Sequence, residues 1–197
     1  MMEVWNPLGI IGVITAFNFP VAVGGWNTAI ALICGNSLIW KGAEASGLVT
    51  VACGKIVTDV LKKNGFNSVF TVCQGDGKTI GAKISNDKRI PLVSFTGSTA
   101  TGKIVSTAVH ERFGKTILEL GGNNGIIVMP DADIDMCLKG NVFAAVGTAG
   151  QRCTSLRRIF LHESVYDEFV KKMVAAYKTI KPGSPLDTDT LLGPINS

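Results

Sequence analysis

Five short stretches carry side chains whose type and setting could do chemistry. Cys153 lies in TAGQRCTS (Thr148–Ser155), between Arg152 and Thr154 and just after a glycine. A thiol beside a cationic neighbour and turn N–H groups is favoured as thiolate, the nucleophilic form. A free cysteine is also among the most commonly buried, inert residues, so both readings stand on this motif alone. Glu119, in LELGGNN, closes an apolar run before two glycines. Partly desolvated there, it would suit general-base work, and left in water it is an ordinary surface acid. Asn18, in AFNFP, either caps a turn or offers an amide N–H to a developing oxyanion, where one donor contributes ~2.7–4 kcal/mol. Lys41 is the first charge after Glu3 and ends SLIWK. It is a solvated strand end or a partner for a ribose hydroxyl or phosphate, with Glu44 nearby as a second ribose partner. Gly97 and Ser98, in FTGSTATG, open a helix directly after a strand, as a capped turn or as a diphosphate site at the positive end of the helix dipole. The spacing is not G-x-G-x-x-G, so the ordinary dinucleotide fingerprint is absent.

All of these but Cys153 share a position, at or just beyond the end of an apolar, strand-like run. GIIGVITA (9–16) and SLIWK (37–41) read as strands covered on both faces. Between them, FPVAVGGWNTAIALICGN has helical spacing through Trp26, Ile30 and Ile33 and stops at Gly35-Asn36. A helix from about Ser46 to Lys63 turns Val49, Ala52, Ile56, Val60 and Leu61 inward. SVFTVC, IPLVSFTG, KTILEL and NGIIVM are further strands, alternating with helices over GKTIGAKIS and STATGKIVSTAVHERF. Short strands alternating with helices predict a parallel α/β sheet with helices on both faces. Ligands of such sheets bind beyond the carboxyl ends of the strands, where these candidates stand. Further on come a helix from about Ile134 to Val146, a strand at RRIFLH, and an amphipathic helix burying Val165, Phe169, Met173, Ala176 and Ile180. The turn-rich tail has no obvious final element, so the chain reads as stopping inside a larger architecture.

Composition narrows the class. The 197 residues are 46% hydrophobic and 17% charged, enough for a real core. A net charge of +4, with scattered basic residues, gives nucleic-acid binding little support. Five cysteines, no C-x-x-C pair and two histidines argue against a disulfide framework and a metal site. They fit a reducing compartment, with Cys34, Cys53, Cys73 and Cys137 read as small buried residues. No charge occurs between Glu3 and Lys41, but Gly, Asn and Pro interrupt the stretch too often for a membrane span. No signal peptide is expected at the start of the sequence, which lacks a basic region.

Taken in order, PLGIIGVITAFNFP, NSLIWKGAE, SFTGSTATGK, LELGGNN and GQRC resemble the aldehyde dehydrogenase superfamily. TAFNFPVAVGGWN with ELGGNN and GTAGQRCT most closely resembles its antiquitin family, family 7, whose members oxidise α-aminoadipic semialdehyde. The resemblance covers nearly the whole chain and implies a Rossmann-like NAD-binding domain over residues 1–121. Residues 122–197 would then be the incomplete N-terminal part of the cysteine-bearing catalytic domain. It implies Cys153 as nucleophile, Glu119 as the base that activates water, and Asn18 as the oxyanion amide. Thr15, Ala16, Phe17, Lys41, Gly81, Gly97, Ser98 and Leu120 match positions that line NAD.

Arg152, with Thr154 beside it, is the expected substrate contact, since a bidentate arginine suits the far carboxylate of a semialdehyde. Glu44 stands where close antiquitins often carry proline, and an acid there favours NAD over NADP. Full-length members are expected to be homo-oligomers of the cytoplasm or mitochondrial matrix, acting on small aldehydes without nucleic acid or membrane. By family standards the chain is a fragment, which leaves a catalytically inactive nucleotide-binding or interaction module as the competing expectation. A thiol hydrolase fits less well, because neither histidine has an obvious place beside Cys153.

Overall fold

Five apolar runs of four or five residues become the parallel strands β1 (Ile10–Ile14), β2 (Ser37–Lys41), β3 (Phe70–Cys73), β4 (Leu92–Thr96) and β5 (Lys115–Glu119). The structure, a computed structural model, describes residues 1–196. The strand order is β3-β2-β1-β4-β5, the doubly wound arrangement in which the chain reverses direction between β1 and β4. Side-chain alternation sends Ile11, Val13, Leu38 and Trp40 to one face, and Ile14, Val93 and Phe95 to the other. Helices α1 (Pro20–Ile33) and α2 (Gly47–Lys63) cover the first face. The short α3 (Ala82–Asn86), entered through a π-helical turn at Gly77–Gly81, and α4 (Thr99–His110) cover the second. The fold is the Rossmann-like parallel α/β sheet expected from the alternation of strands and helices.

The stripes by which α1 and α2 meet the sheet differ from those expected. In α2 the inward residues are Thr50, Cys53, Gly54, Val57 and Leu61, while Val49, Ala52, Ile56 and Val60 face outward, Ile56 with 64% of its surface exposed. In α1, Val23, Gly24, Thr28 and Ala31 are buried, and Trp26, Ile30 and Ile33 are exposed. The cause is close approach. A Cβ on Gly24 would run into the indole of Trp40, and one on Gly54 into Val72. Trp40 cannot yield easily, because its indole N–H donates to Thr15 Oγ1 at 3.0 Å. Small residues therefore face the sheet and bulky ones turn away. Gly35, with φ of 76°, ends α1 in the left-handed region and lets the chain turn into β2. Beside it Asn36 accepts from the N–H groups of Leu8 (2.7 Å) and Gly9 (3.1 Å), fixing the entry to β1.

Contacts divide the chain into two units, Met1–Leu120 and a second from Gly121 onward. In the second, β6 (Asn124–Val128) pairs in parallel with β7 (Leu156–Leu161), with α5 (Ile134–Val146) as the crossover and α6 (Glu163–Thr179) following. Val128, Val165, Phe169 and Met173 form its core with Ile134, Cys137, Leu138, Ile159 and Leu161. The α6 stripe thus matches its sequence periodicity at Val165, Phe169 and Met173, while Ala176 and Ile180 stay half-buried, Ile180 just past the helix end. Lys172 joins α6 to α5 through Asp135 (2.8 Å) and bonds Glu168 one turn earlier (2.9 Å). Among the described residues no helix is long and apolar enough to cross a membrane, and no group of three or more His, Cys, Asp or Glu could hold a metal ion.

Candidate functional site

In the first unit every candidate falls at the carboxyl edge of the sheet. Thr15, Ala16, Phe17 and Asn18 follow β1, with Thr15 buried, Asn18 half-buried and Phe17 exposed. Lys41 ends β2 and is only 3% exposed, so it is not the solvated strand end its charge allowed. Its Nζ donates to the Gly42 carbonyl at 2.9 Å. Across the strand pair lies Cys73, whose thiol burial pushes up while the Lys41 charge partly offsets the shift. Glu44, three residues on, is exposed.

Gly97 spends its N–H on the Glu119 carbonyl (3.1 Å), tying β4 to β5, so that donor is not offered to an anion. The first-turn N–H groups of α4 remain at the positive end of its dipole. Ser98 caps that helix, accepting from Thr101 N–H at 3.2 Å. Glu119 itself is exposed rather than partly desolvated within this unit. The reason is its strand: β5 is an edge, and Lys115, Ile117 and Glu119 all point away from the packed face. Leu120 folds back against Gly102 on the first turn of α4.

A hollow of about 710 Å³ opens over the switch between β1 and β4. Ile14 and Phe95 form its floor, Gly81, Ala82 and Ser85 one wall, Thr101, Ile104, Val105 and Ala108 the other, and Glu44 and Asp76 its rim. Asp76 accepts from Thr79 N–H at 2.6 Å, which holds its carboxyl below the usual range and starts the π-helical turn. The hollow is largely apolar, with two acids, Glu44 and Asp76, and Lys78 among its lining residues. Of the expected cofactor contacts, Glu44 and Gly81 line it. Thr15, Ala16, Phe17, Lys41, Gly97, Ser98 and Leu120 do not.

Two buried polar atoms at the same edge lack partners among the described residues: Thr96 Oγ1 at the end of β4 and Gln74 Nε2 just after β3. Neither was singled out from sequence, although the strand-end rule covers both positions.

In the second unit Cys153 is exposed at a tight turn. Ser155 N–H donates to the Arg152 carbonyl (3.2 Å), and Arg152 N–H donates to Ser155 Oγ (3.1 Å). Cys153 and Thr154 are thus the two central residues, both exposed, over a Ser155 that is 1% exposed. The Arg152 guanidinium lies over the Phe143 ring, 5.3 Å from its centroid, and its Nε donates to Thr148 Oγ1 at 2.8 Å. The approach to the turn is strained, because Thr148 and Ala149 hold φ of 56° and 54° in the left-handed region. Asn124, Thr148, Phe143 and Ser155 were not identified from sequence. Asn124 is the last residue of the LELGGNN stretch, whose paired asparagines were the available signal. Among the other cysteines Cys34 is exposed rather than buried, since it caps the outer end of α1 as the chain turns at Gly35.

A sequence profile described as the aldehyde dehydrogenase family matches residues 1–197. Aldehyde dehydrogenase family 7 member B4 of Arabidopsis thaliana is 57% identical over 198 residues, covering 100% of this chain and 39% of that protein. The α-aminoadipic semialdehyde dehydrogenase of Bos taurus is 51% identical over 197 residues, covering 100% and 36%. Among solved structures, glyceraldehyde-3-phosphate dehydrogenase GapN from Methanocaldococcus jannaschii, complexed with NADP, superposes with a TM-score of 0.94 at 34% identity, covering 98% of this chain and 42% of that one. Betaine aldehyde dehydrogenase from Staphylococcus aureus, in complex with NAD+, does so with 0.90 at 32%, covering 97% and 37%. The chain spans between 36% and 40% of the length of the curated relatives it matches. With the family profile matched from end to end, the chain belongs to the aldehyde dehydrogenase family.

Proposed function

We propose that the protein carrying this chain oxidises an aldehyde to the carboxylic acid with NAD, and that the aldehyde is a semialdehyde such as α-aminoadipic semialdehyde. The observation that carries the reading is the apolar hollow at the strand switch, with Glu44 at its mouth. An adenine ring fits a slot walled by Ala82, Val105 and Ala108. A ribose fits the Glu44 carboxylate, which accepts from hydroxyls and repels a 2′-phosphate. The unpartnered Thr96 Oγ1 and Gln74 Nε2 suit a ligand rich in hydroxyls and phosphate oxygens. On this reading the first unit, residues 1–121 in the sequence division, is the dinucleotide-binding domain. Thr15, Ala16, Phe17, Lys41, Gly81, Gly97, Ser98 and Leu120 complete its contacts, and the following residues begin the catalytic domain.

When bound, NAD supplies the hydride acceptor. The Cys153 thiolate forms the C–S bond to the aldehyde carbon, and Asn18 Nδ2 with the Cys153 N–H donates to the resulting alkoxide. Glu119 takes the proton of the water that opens the Cys153 acyl thioester. Arg152 and Thr154 hold the distal end of the substrate, for which Arg152 must exchange its stacking on Phe143 for the substrate carboxylate. Five unpaired cysteines fit a reducing compartment, cytoplasm or mitochondrial matrix, and the full-length protein is a homo-oligomer.

The test is NADH formation with α-aminoadipic semialdehyde, alongside a Cys153→Ser control and NAD titration by calorimetry. Turnover that the control abolishes is the expected result. NAD binding without turnover marks the chain as a nucleotide-binding module, and loss of both refutes the reading.

A further inference from the structure

The Arg152–Ser155 turn closes on itself through two hydrogen bonds, one in each direction. A turn so closed keeps its shape but can still pivot as a body, and Cys153 would swing with it. A neighbouring strand prevents this. Asn124, the first residue of β6, donates Nδ2 to the carbonyls of both Cys153 (2.7 Å) and Ser155 (3.1 Å). Gly122 packs beside this contact, where a Cβ would come within 2.8 Å of the Cys153 oxygen and 3.2 Å of the Asn124 amide. Asn124 is in turn held by pairing with Leu156 at the start of β7. The Cys153 carbonyl shares a peptide plane with the Thr154 N–H, so gripping it sets the ψ angle of Cys153 and the direction of its Cα–Cβ bond.

We infer that Asn124 is a positioning residue for Cys153, an inference that rests on the reading of Cys153 as the nucleophile. Asparagine suits the task. Aspartate has the same shape but only accepts, and serine is too short to span both carbonyls. A nucleophile displaced by about 1 Å loses on the order of 100-fold in rate, so the grip matters more to the reaction than to the fold.

Asn124→Asp and Asn124→Ala test it in the full-length protein, with Gly122→Ala crowding the Cys153 carbonyl and the Asn124 amide together. Iodoacetamide labelling, resolved by peptide mass spectrometry, should change at Cys153 by about threefold or more while Cys34 and Cys137 keep their rates. The NADH burst should fall at least about tenfold with KM for NAD unchanged, and Asn124→Gln, which retains the amide donor, should recover part of it. Unchanged labelling at Cys153 in both Asn124 variants overturns the inference. So does a change that Cys137 shares, since that is unfolding of the unit. A burst that survives Cys153→Ser overturns instead the nucleophile assignment on which the inference rests.

Discussion

Substitutions at Gly81 separate stability from the cofactor binding proposed for the hollow it lines. Gly81 has helical dihedrals (φ −59°, ψ −44°), and a Cβ built on it meets nothing within 4 Å. It also lines the hollow proposed for the adenosine half of NAD. Glycine costs about 1 kcal/mol relative to alanine in a helix, so Gly81→Ala should stabilise by up to about that much. For a chain of this size that is ~2–4 °C in Tm. Gly81→Leu keeps most of the gain but fills the slot. Forcing a ligand past a misplaced side chain costs about 1–3 kcal/mol, the usual range for overpacking. The dissociation constant for NAD should therefore rise roughly 5- to 150-fold. Differential scanning calorimetry and titration calorimetry on the same samples read the two effects. A Tm that drops by several degrees would refute the open-space argument. NAD affinity within about twofold of the parent would refute the assignment of the hollow.

Gly24→Ala should act in the opposite direction on stability, because its Cβ meets an indole already fixed by Thr15. A loss of about 1–3 kcal/mol, partly offset by helix propensity, should appear as a lower urea midpoint. Ala149→Gly should stabilise by about 1 kcal/mol, since alanine is held at φ of 54°; a lowered Tm would count against strain there. Lys172 and Asp135 set a pH window for the second unit. The Lys172 ammonium beside Asp135 holds that carboxyl below its ordinary range, so its stabilisation is present above about pH 4 and fades as pH falls through the lowered value. Lys172, raised by Asp135 and Glu168, contributes fully below about pH 10 and loses its share only as pH climbs beyond its own raised value. Asp135→Asn should therefore lower Tm at neutral pH and converge with the parent in acid.

The sequence by itself determined the strands, the class of fold and which polar residues stand at the strand ends. Apolar runs of four or five residues punctuated by glycine and asparagine have few alternatives to buried parallel strands, and chemistry in such sheets gathers at their carboxyl ends. Lys41, Glu44, Gly97 and Glu119 could be placed there from order alone. Tertiary structure decided how those residues are used. Which stripe of α1 and α2 faces the sheet depended on how near the helices come, and close approach selected Gly24 and Gly54 over the bulkier residues that periodicity favoured. Lys41 is buried and Glu119 exposed, a choice that charge and neighbours left open, because one ends an interior strand and the other an edge. The link from Asn124 to Cys153 spans 29 positions and comes from the parallel pairing of β6 with β7, which no local pattern records. Local sequence sets what each segment can become. Long-range packing sets what each side chain can touch.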